Sequence, residues 1–145
     1  MPLEGQYVSS PTPHVFKQVS LYESTGGKEG WDLEGVPCVI LTTRGRKSGN
    51  LRKTPLMRIA RGDTYVVIAS MGGAPKHPVW YLNLVEEPLV MLQDGAKVGD
   101  YTARTATDPE KEDWWPDAVA IWPPFAEYRT KTDRNIPVVI LEPIQ

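Results

Sequence analysis

The residue types that could do chemistry gather in three stretches of this 145-residue chain. The first, "TTRGRKSGNLRKTPLMR", runs from Thr42 to Arg58. Between Gly35 and Gly62 the sequence carries seven basic side chains (Arg44, Arg46, Lys47, Arg52, Lys53, Arg58, Arg61) and no acid, although the net charge of the protein is −2. As a solvated hairpin tip, such a turn would keep a sheet edge soluble. As an anion site, its N–H groups, the Ser48 hydroxyl, and Arg46, Lys47 and Arg52 would converge on a phosphate or on carboxylates. The lack of acids favours the second use, because surfaces built for solubility mix signs.

The second stretch is "SMGGAPKHPVWYLN", Ser70 to Asn83. Its glycines permit close backbone approach to a ligand. Trp80 and Tyr81 either pack a helix into the core or wall in a flat ring. The third is "WWPDAVAIWPPFAEY", where Trp114, Trp115, Trp122, Phe125 and Tyr128 place five of the chain's thirteen aromatics within fifteen residues. One helical face does not need all of them, so some are expected to line a pocket or interface.

Side-chain chemistry of the protein's own is not advertised. "GRKSGN" lacks the order of a phosphate loop, and neither GxGxxG after a strand nor GxSxG is present. His14 and His77 stand apart and Cys38 is single, so no metal-ligand motif forms. Glu86-Glu87 and Glu110, Glu112, Asp113 read as solvated helix ends. If this is an enzyme, a cofactor carries the reaction.

The elements that must position these stretches follow from pattern. Residues 1–12 read as a loose arm, and Val15, Phe16, Val19 and Tyr22 suit a helix stopped by Gly26 and Gly27. Strands are expected over 37–43, 51–60 and 64–70, joined by the turns 45–50 and 61–63, as an antiparallel meander. Pro55 makes its strand an edge or a bulge. Pro78 opens a helix to Glu87, and 89–106 forms a hairpin about Asp94-Gly95. Asp108 caps a further helix that Pro116 kinks or restarts, and 136–143 is a last strand. Six mostly antiparallel strands with flanking helices make an α+β fold, a small barrel in one domain over 1–145.

Apolar residues form 41% of the chain and charged residues 23%, an ordinary globular balance. The acidic total argues against nucleic acid as a partner. The start lacks the pattern of a signal peptide, and no run reaches the ~20 apolar residues of a membrane span. The expected compartment is the cytoplasm, with membrane contact at most peripheral. The oligomeric state stays open.

Three blocks, "ILTTRGRKSGNLRKTPL", "ASMGGAPKHPVWYLN" and "KTDRNIPVVILEP", resemble the actinobacterial deazaflavin-dependent nitroreductase and quinone reductase family. The resemblance implies a split β-barrel akin to FMN-binding proteins, with coenzyme F420 as cofactor. It also implies a hydride passed to a small planar acceptor, such as a quinone or an activated enone of the coumarin-lactone type. Arg46, Lys47, Ser48 and Arg52, with Lys53, would meet the phosphate and polyglutamate tail of the coenzyme. Thr54, Pro55, Leu56 and Met57 would run along its ring system. Ile68, Ala69, Ser70 and Met71 would offer backbone groups to the ring edge. Val79, Trp80, Tyr81, Leu82 and Asn83 would form the opposite wall.

On the substrate side the resemblance places Met57, Trp122, Phe125 and Tyr128, with Tyr128 and Ser70 as the catalytic groups that meet developing negative charge. Members that activate nitro drugs carry tyrosines near the substrate, whereas here Met57, Trp122 and Phe125 stand in such places. Quinones or enones are therefore expected ahead of nitro compounds. A non-catalytic F420 carrier and an FMN enzyme of the same barrel type are the alternatives.

Overall fold

Apolar runs without alternation mark strands buried on both faces, and such runs build the middle of the computed structural model, which describes residues 5–70, 73, 76–132 and 135–144. In β2 (Val36–Arg44), Val39 and Leu41 face one cluster while Cys38 and Ile40 face another. In β5 (Thr64–Ile68), Tyr65 and Val67 join Val39 and Leu41, and Val66 and Ile68 turn the other way. The same division splits Val139 and Leu141 from Val138 and Ile140 in β8 (Val138–Pro143).

The remaining strands are β1 (Asp32–Leu33), β3 (Leu51–Met57), β4 (Ile59–Arg61), β6 (Leu89–Asp94) and β7 (Lys97–Thr105). They order as β1-β2-β6-β7-β8-β5-β4, with β3 paired to β2 off this path, and every pairing is antiparallel. The sheet curls into a half-barrel around the cluster shared by β2, β5, β6, β7 and β8.

Helices close it. α2 (Val79–Glu86) sends Trp80 and Leu84 into the barrel interior. α1 (Pro13–Thr25) covers Cys38 and Ile40 with Val19 and Tyr22, and burial pushes the Cys38 thiol up to about 11. α3 (Asp108–Ile121) and α4 (Pro124–Lys131) cover Val66, Ile68, Val138 and Ile140 with Trp114, Trp115 and Phe125.

Several expectations need correction. Among the described residues eight strands replace six, because β1 is an additional strand paired to β2 and the 51–60 strand divides at Arg58. The Arg58 N–H donates to the Pro37 carbonyl (2.9 Å) as the last bond of the β2–β3 ladder, which Pro37 cannot extend because it has no N–H to return, and β4 then pairs with β5. The meander is thereby broken: β2 and β5 join through β6, β7 and β8. β3 is an edge strand, as Pro55 requires. Its free edge is covered in part by the arm, since Leu51 exchanges backbone hydrogen bonds with Gln6 and Val8. That segment of the arm is thus tied down.

The β6–β7 turn is Gly95-Ala96, because Asp94 and Lys97 still pair. Asp94 has other work: it accepts hydrogen bonds from the Tyr65 hydroxyl (2.6 Å) and from Arg58. Pro116 lies inside α3 without restarting it; the restart comes at Pro123-Pro124, where two successive residues lack an N–H.

The cap of α3 is Thr107, one residue before the expected Asp108. Thr107 Oγ1 accepts from the Glu110 N–H (3.4 Å), and the Glu110 carboxylate accepts from the Thr107 N–H (3.0 Å), a capping box. Arg104, and then the Thr107 N–H, hold Glu110 down from the ordinary 4.5 to about 2. A carboxylate depressed in the folded state adds stability above its unfolded value and loses it on acidification. The Glu110 contribution is therefore expected to vanish as pH falls from about 4.5 to about 2. Urea midpoints against pH should show a shallower fall in Glu110→Gln across that window; an identical slope would contradict the pairing.

Candidate active site

The C-terminal ends of β3 and β5, the start of α2 and the inner face of α4 surround one apolar basin of about 470 Å³. Leu56 and Met57 come from β3, and Ile68 and Ser70 from β5 and the residues after it. Pro78 and Trp80 supply one side, and Trp122, Phe125 and Tyr128 the other. Trp80 is only 8% exposed: it belongs to the core cluster that holds Val39, Leu41 and Leu92 and also lines the basin. Phe125 is likewise shared with the outer core, in edge contact with Tyr128 at 6.0 Å between ring centroids.

Two hydroxyls line the basin, those of Ser70 and Tyr128. Tyr128 Oη accepts from Trp122 Nε1 (3.2 Å), which leaves its own proton without an acceptor among the described residues. Donation into a hydroxyl polarises its O–H, so this phenol is prepared to give a hydrogen bond. Gly73 lies close to Tyr128. With φ +81° it passes so near α4 that a Cβ would meet the Lys131 Cβ at 3.1 Å and the Tyr128 carbonyl at 3.3 Å. The close approach expected of the glycines is therefore, at Gly73, an approach to α4; Met71 lies outside the described residues.

A groove leaves the basin past Trp80. Its middle section, about 320 Å³, lies among Arg52, Lys53, Thr54, Val79, Trp80 and Asn83. The next, about 300 Å³, is shared by Arg46, Lys47, Ser48, Arg52, Val79 and Asn83. The far end, about 390 Å³, is bounded by Arg44, Arg46, Lys47 and Ser48 and, opposite them, by Glu86 and Glu87. Those two glutamates were expected as solvated helix ends; they sit at the end of α2 and also border the basic turn.

The acid-free run in sequence divides in space. Lys53 pairs with Glu23, Arg58 with Asp94, and Arg61 with Asp113 and Asp117. Arg44, Arg46, Lys47 and Arg52 make no ion pair among the described residues. All four unpaired cations border the groove, and of the paired three Lys53 reaches it as well. Gly49 (φ +76°) and the Ser48 hydroxyl, which accepts from the Asn50 N–H (3.1 Å), shape the turn that carries them. Asn83 fixes that turn to α2: its Oδ1 accepts from the Arg46 N–H (3.1 Å) and its Nδ2 donates to Thr43 Oγ1 (3.4 Å), all but out of solvent at 3% exposure.

Not every expected residue faces the cavity. Tyr81 turns away, its hydroxyl 3.0 Å from Thr105 Oγ1, and Leu82 is half-buried beside it. Pro55 and Ala69 are buried in the sheet. Trp114 and Trp115 belong to the outer core, where Arg61 and Arg129 lie over their rings at 4.0 and 4.3 Å. The sequence reading missed Leu33 and Glu34, which reach the basin rim from the β1–β2 hairpin. Only the Glu34-Gly35 dipeptide hinted at that turn, and it is not one of the usual hairpin pairs.

An apolar basin joined to a groove of unpaired cations fits a flat cofactor with an anionic tail. The sequence model of the F420H(2)-dependent quinone reductase family matches residues 15–143, and the chain belongs to that family. It is 33% identical over 131 residues to an F420H(2)-dependent quinone reductase of Mycobacterium tuberculosis (strain ATCC 25618 / H37Rv), covering 84% of this chain and 85% of that one. A solved F420-H2 dependent reductase, FDR-A, is 53% identical with a TM-score of 0.69, over 73% of this chain and 94% of the other. A solved domain-swapped dimer is 48% identical with a TM-score of 0.72, over 92% of this chain and all of the other.

The fold is the split β-barrel of FMN-binding and pyridoxamine oxidase-like proteins, and the protein is an F420H2-dependent reductase of the quinone reductase class. The carrier and FMN alternatives fall away. Among the described residues no helix is long and apolar enough to cross a membrane.

Asn83 gives the first test of this geometry. Asn83→Ala leaves every cation in place but removes the acceptor of the Arg46 N–H, at a cost of about 0.5–1.5 kcal/mol. Both the urea midpoint and the affinity for F420, read by deazaflavin fluorescence, are expected to fall. Wild-type values for both would mean that the turn holds its shape without α2.

Proposed function

We propose that the protein passes a hydride from reduced F420 to a neutral planar acceptor, a quinone or an activated enone such as a coumarin-type lactone. The observation that carries this is the composition of the basin: a broad apolar floor with very few proton donors, opening onto unpaired cations. Arg46, Lys47, Ser48 and Arg52 would hold the phosphate and glutamate tail of the coenzyme, and Leu56, Met57 and Trp80 would border its ring system. The coenzyme, when bound in reduced form, supplies the hydride.

The protein's own part is placement. Trp122, Phe125 and Tyr128 would bound the acceptor, exclude water and hold it over the reacting face. Proximity of this kind is worth several kcal/mol without any acid–base residue. Tyr128, its hydroxyl already accepting from Trp122, would donate to the acceptor oxygen as negative charge grows there. Ser70, buried at the end of β5, is the second candidate donor.

Nitro groups demand more of the site than quinones do. Their reduction builds charge on two oxygens and consumes protons, and Met57 and Phe125 offer none. Oxidation of reduced F420, followed by its absorbance, is expected to be fastest with menadione, slower with an unsaturated lactone and slowest with a nitroaromatic. A nitroaromatic turned over faster than menadione would overturn the reading.

The groove makes a separate prediction. An exposed charge pair is worth about 0.2–1 kcal/mol and is screened by salt. Lys47→Glu with Arg52→Glu reverses two of the unpaired cations, so F420 affinity should fall about ten- to thirty-fold at low ionic strength. The loss should shrink at high salt. Unchanged low-salt affinity would remove the groove from the coenzyme site.

A further inference from the structure

The basin carries a single charged side chain among its described lining residues, and it stands in a backbone conformation that glutamate seldom adopts. Glu34 is the first residue of the two-residue turn between β1 and β2, with φ +53°, followed by Gly35 at φ +82°. Glycine, asparagine and aspartate enter this left-handed region readily, whereas a longer side chain is strained there. The turn is nonetheless well fixed. Leu33 pairs with Val36, Asp32 pairs with Pro37, and Asp32 Oδ2 accepts the Gly35 N–H at 3.0 Å. The hairpin thus holds a carboxylate at the rim of the apolar basin, next to Leu33. Glu34 forms no ion pair among the described residues, so its charge is not neutralised by a neighbour.

We propose that Glu34 is a specificity-determining charge at the acceptor mouth, admitting neutral planar acceptors and disfavouring those that carry a sulfonate or carboxylate. The proposal rests on the reading that the basin receives the acceptor. Its physical basis is simple repulsion. A fixed negative charge at the rim of a low-polarity pocket raises the energy of an incoming anion and leaves a neutral ring unaffected. The tail groove is positive and the acceptor mouth negative, so the two ends of the site sort their ligands by opposite signs. An anion drawn to the protein by the groove is thereby discouraged from entering the basin.

The experiment compares menadione with 1,4-naphthoquinone-2-sulfonate, using full-length protein. Each is measured as kcat/KM with reduced F420, and as Kd by quenching of tryptophan fluorescence with oxidised F420 bound. In Glu34→Gln the sulfonate-to-menadione ratio should rise about two- to five-fold at low salt, in both measurements, and more in Glu34→Lys. The rise should shrink at high salt. Glu34→Gly, which suits the left-handed turn, should show the same change with an undiminished Tm, which separates charge from folding. Ratios unchanged in all three variants, with both quinones reduced, overturn the charge gate alone. If neither quinone is reduced but the sulfonate Kd still responds to Glu34, the quinone reading fails and the gate stands. Binding of neither quinone to any variant overturns both.

Discussion

A buried amide sets the distance between the two halves of this site. Asn83 sits on α2 with Trp80, one turn earlier on the same helix, and grips the Arg46 N–H of the basic turn. Trp80 and Leu84 are packed into the barrel interior, so α2 has no freedom to slide. The turn is consequently registered against the basin. Were the amide absent, the cations would remain on a hairpin tip with glycines at Gly45 and Gly49, free to point elsewhere. A coenzyme that binds by its tail and reacts by its ring needs that registration more than it needs any single ion pair.

The charges follow the same logic. Seven cations in a short stretch would repel one another if all were left alone. Three are taken by acids from distant parts of the chain: Glu23 on α1, Asp94 at the β6–β7 turn, and Asp113 with Asp117 on α3. These contacts fasten helices and a hairpin to the sheet, and since each is partly exposed and screened by solvent, each adds only modestly to folding. The four left unpaired contribute little to folding and border the groove. Left unpaired and close together, they could act on one polyanion at once, which is the use the proposed function gives them.

Much of the architecture was legible because it rests on local signals. Pro55 announced an edge strand, β-branched runs announced strands buried on both faces, and Gly26 ended α1 in a left-handed cap. What the sequence hid was set by tertiary partners. β3 and β4 read as one strand because nothing local reveals that the first pairs with β2 and the second with β5. Asp94 looked like a turn residue because its side chain alone did not disclose Tyr65 and Arg58 as partners. Thr107 was signalled by its spacing to Glu110, yet Asp108 beside Pro109 offered a competing cap. Within the site, the blocks "GRKSGNLRK" and "PVWYLN" marked the groove. Glu34 carried no such mark, since only the fold of the β1–β2 hairpin delivers it to the basin.

The aromatic cluster shows how one stretch can serve two ends. Trp114 and Trp115 lie on α3, and each has a guanidinium over its ring, that of Arg61 or Arg129. Cations over an indole face help to hold the ring in place, and both rings are buried. The break at Pro123-Pro124 then changes the direction of the chain. After it, α4 presents Phe125 and Tyr128 to the basin, with Trp122 donating to Tyr128 from the break itself. Phe125 bridges the two sets, touching Trp115 on one side and Tyr128 on the other. The rigid, cation-pinned pair therefore acts as a footing for the pocket-facing three. The shape of the basin is thus tied to the outer core through one phenylalanine, so the precision of the cavity depends on packing that does not line it.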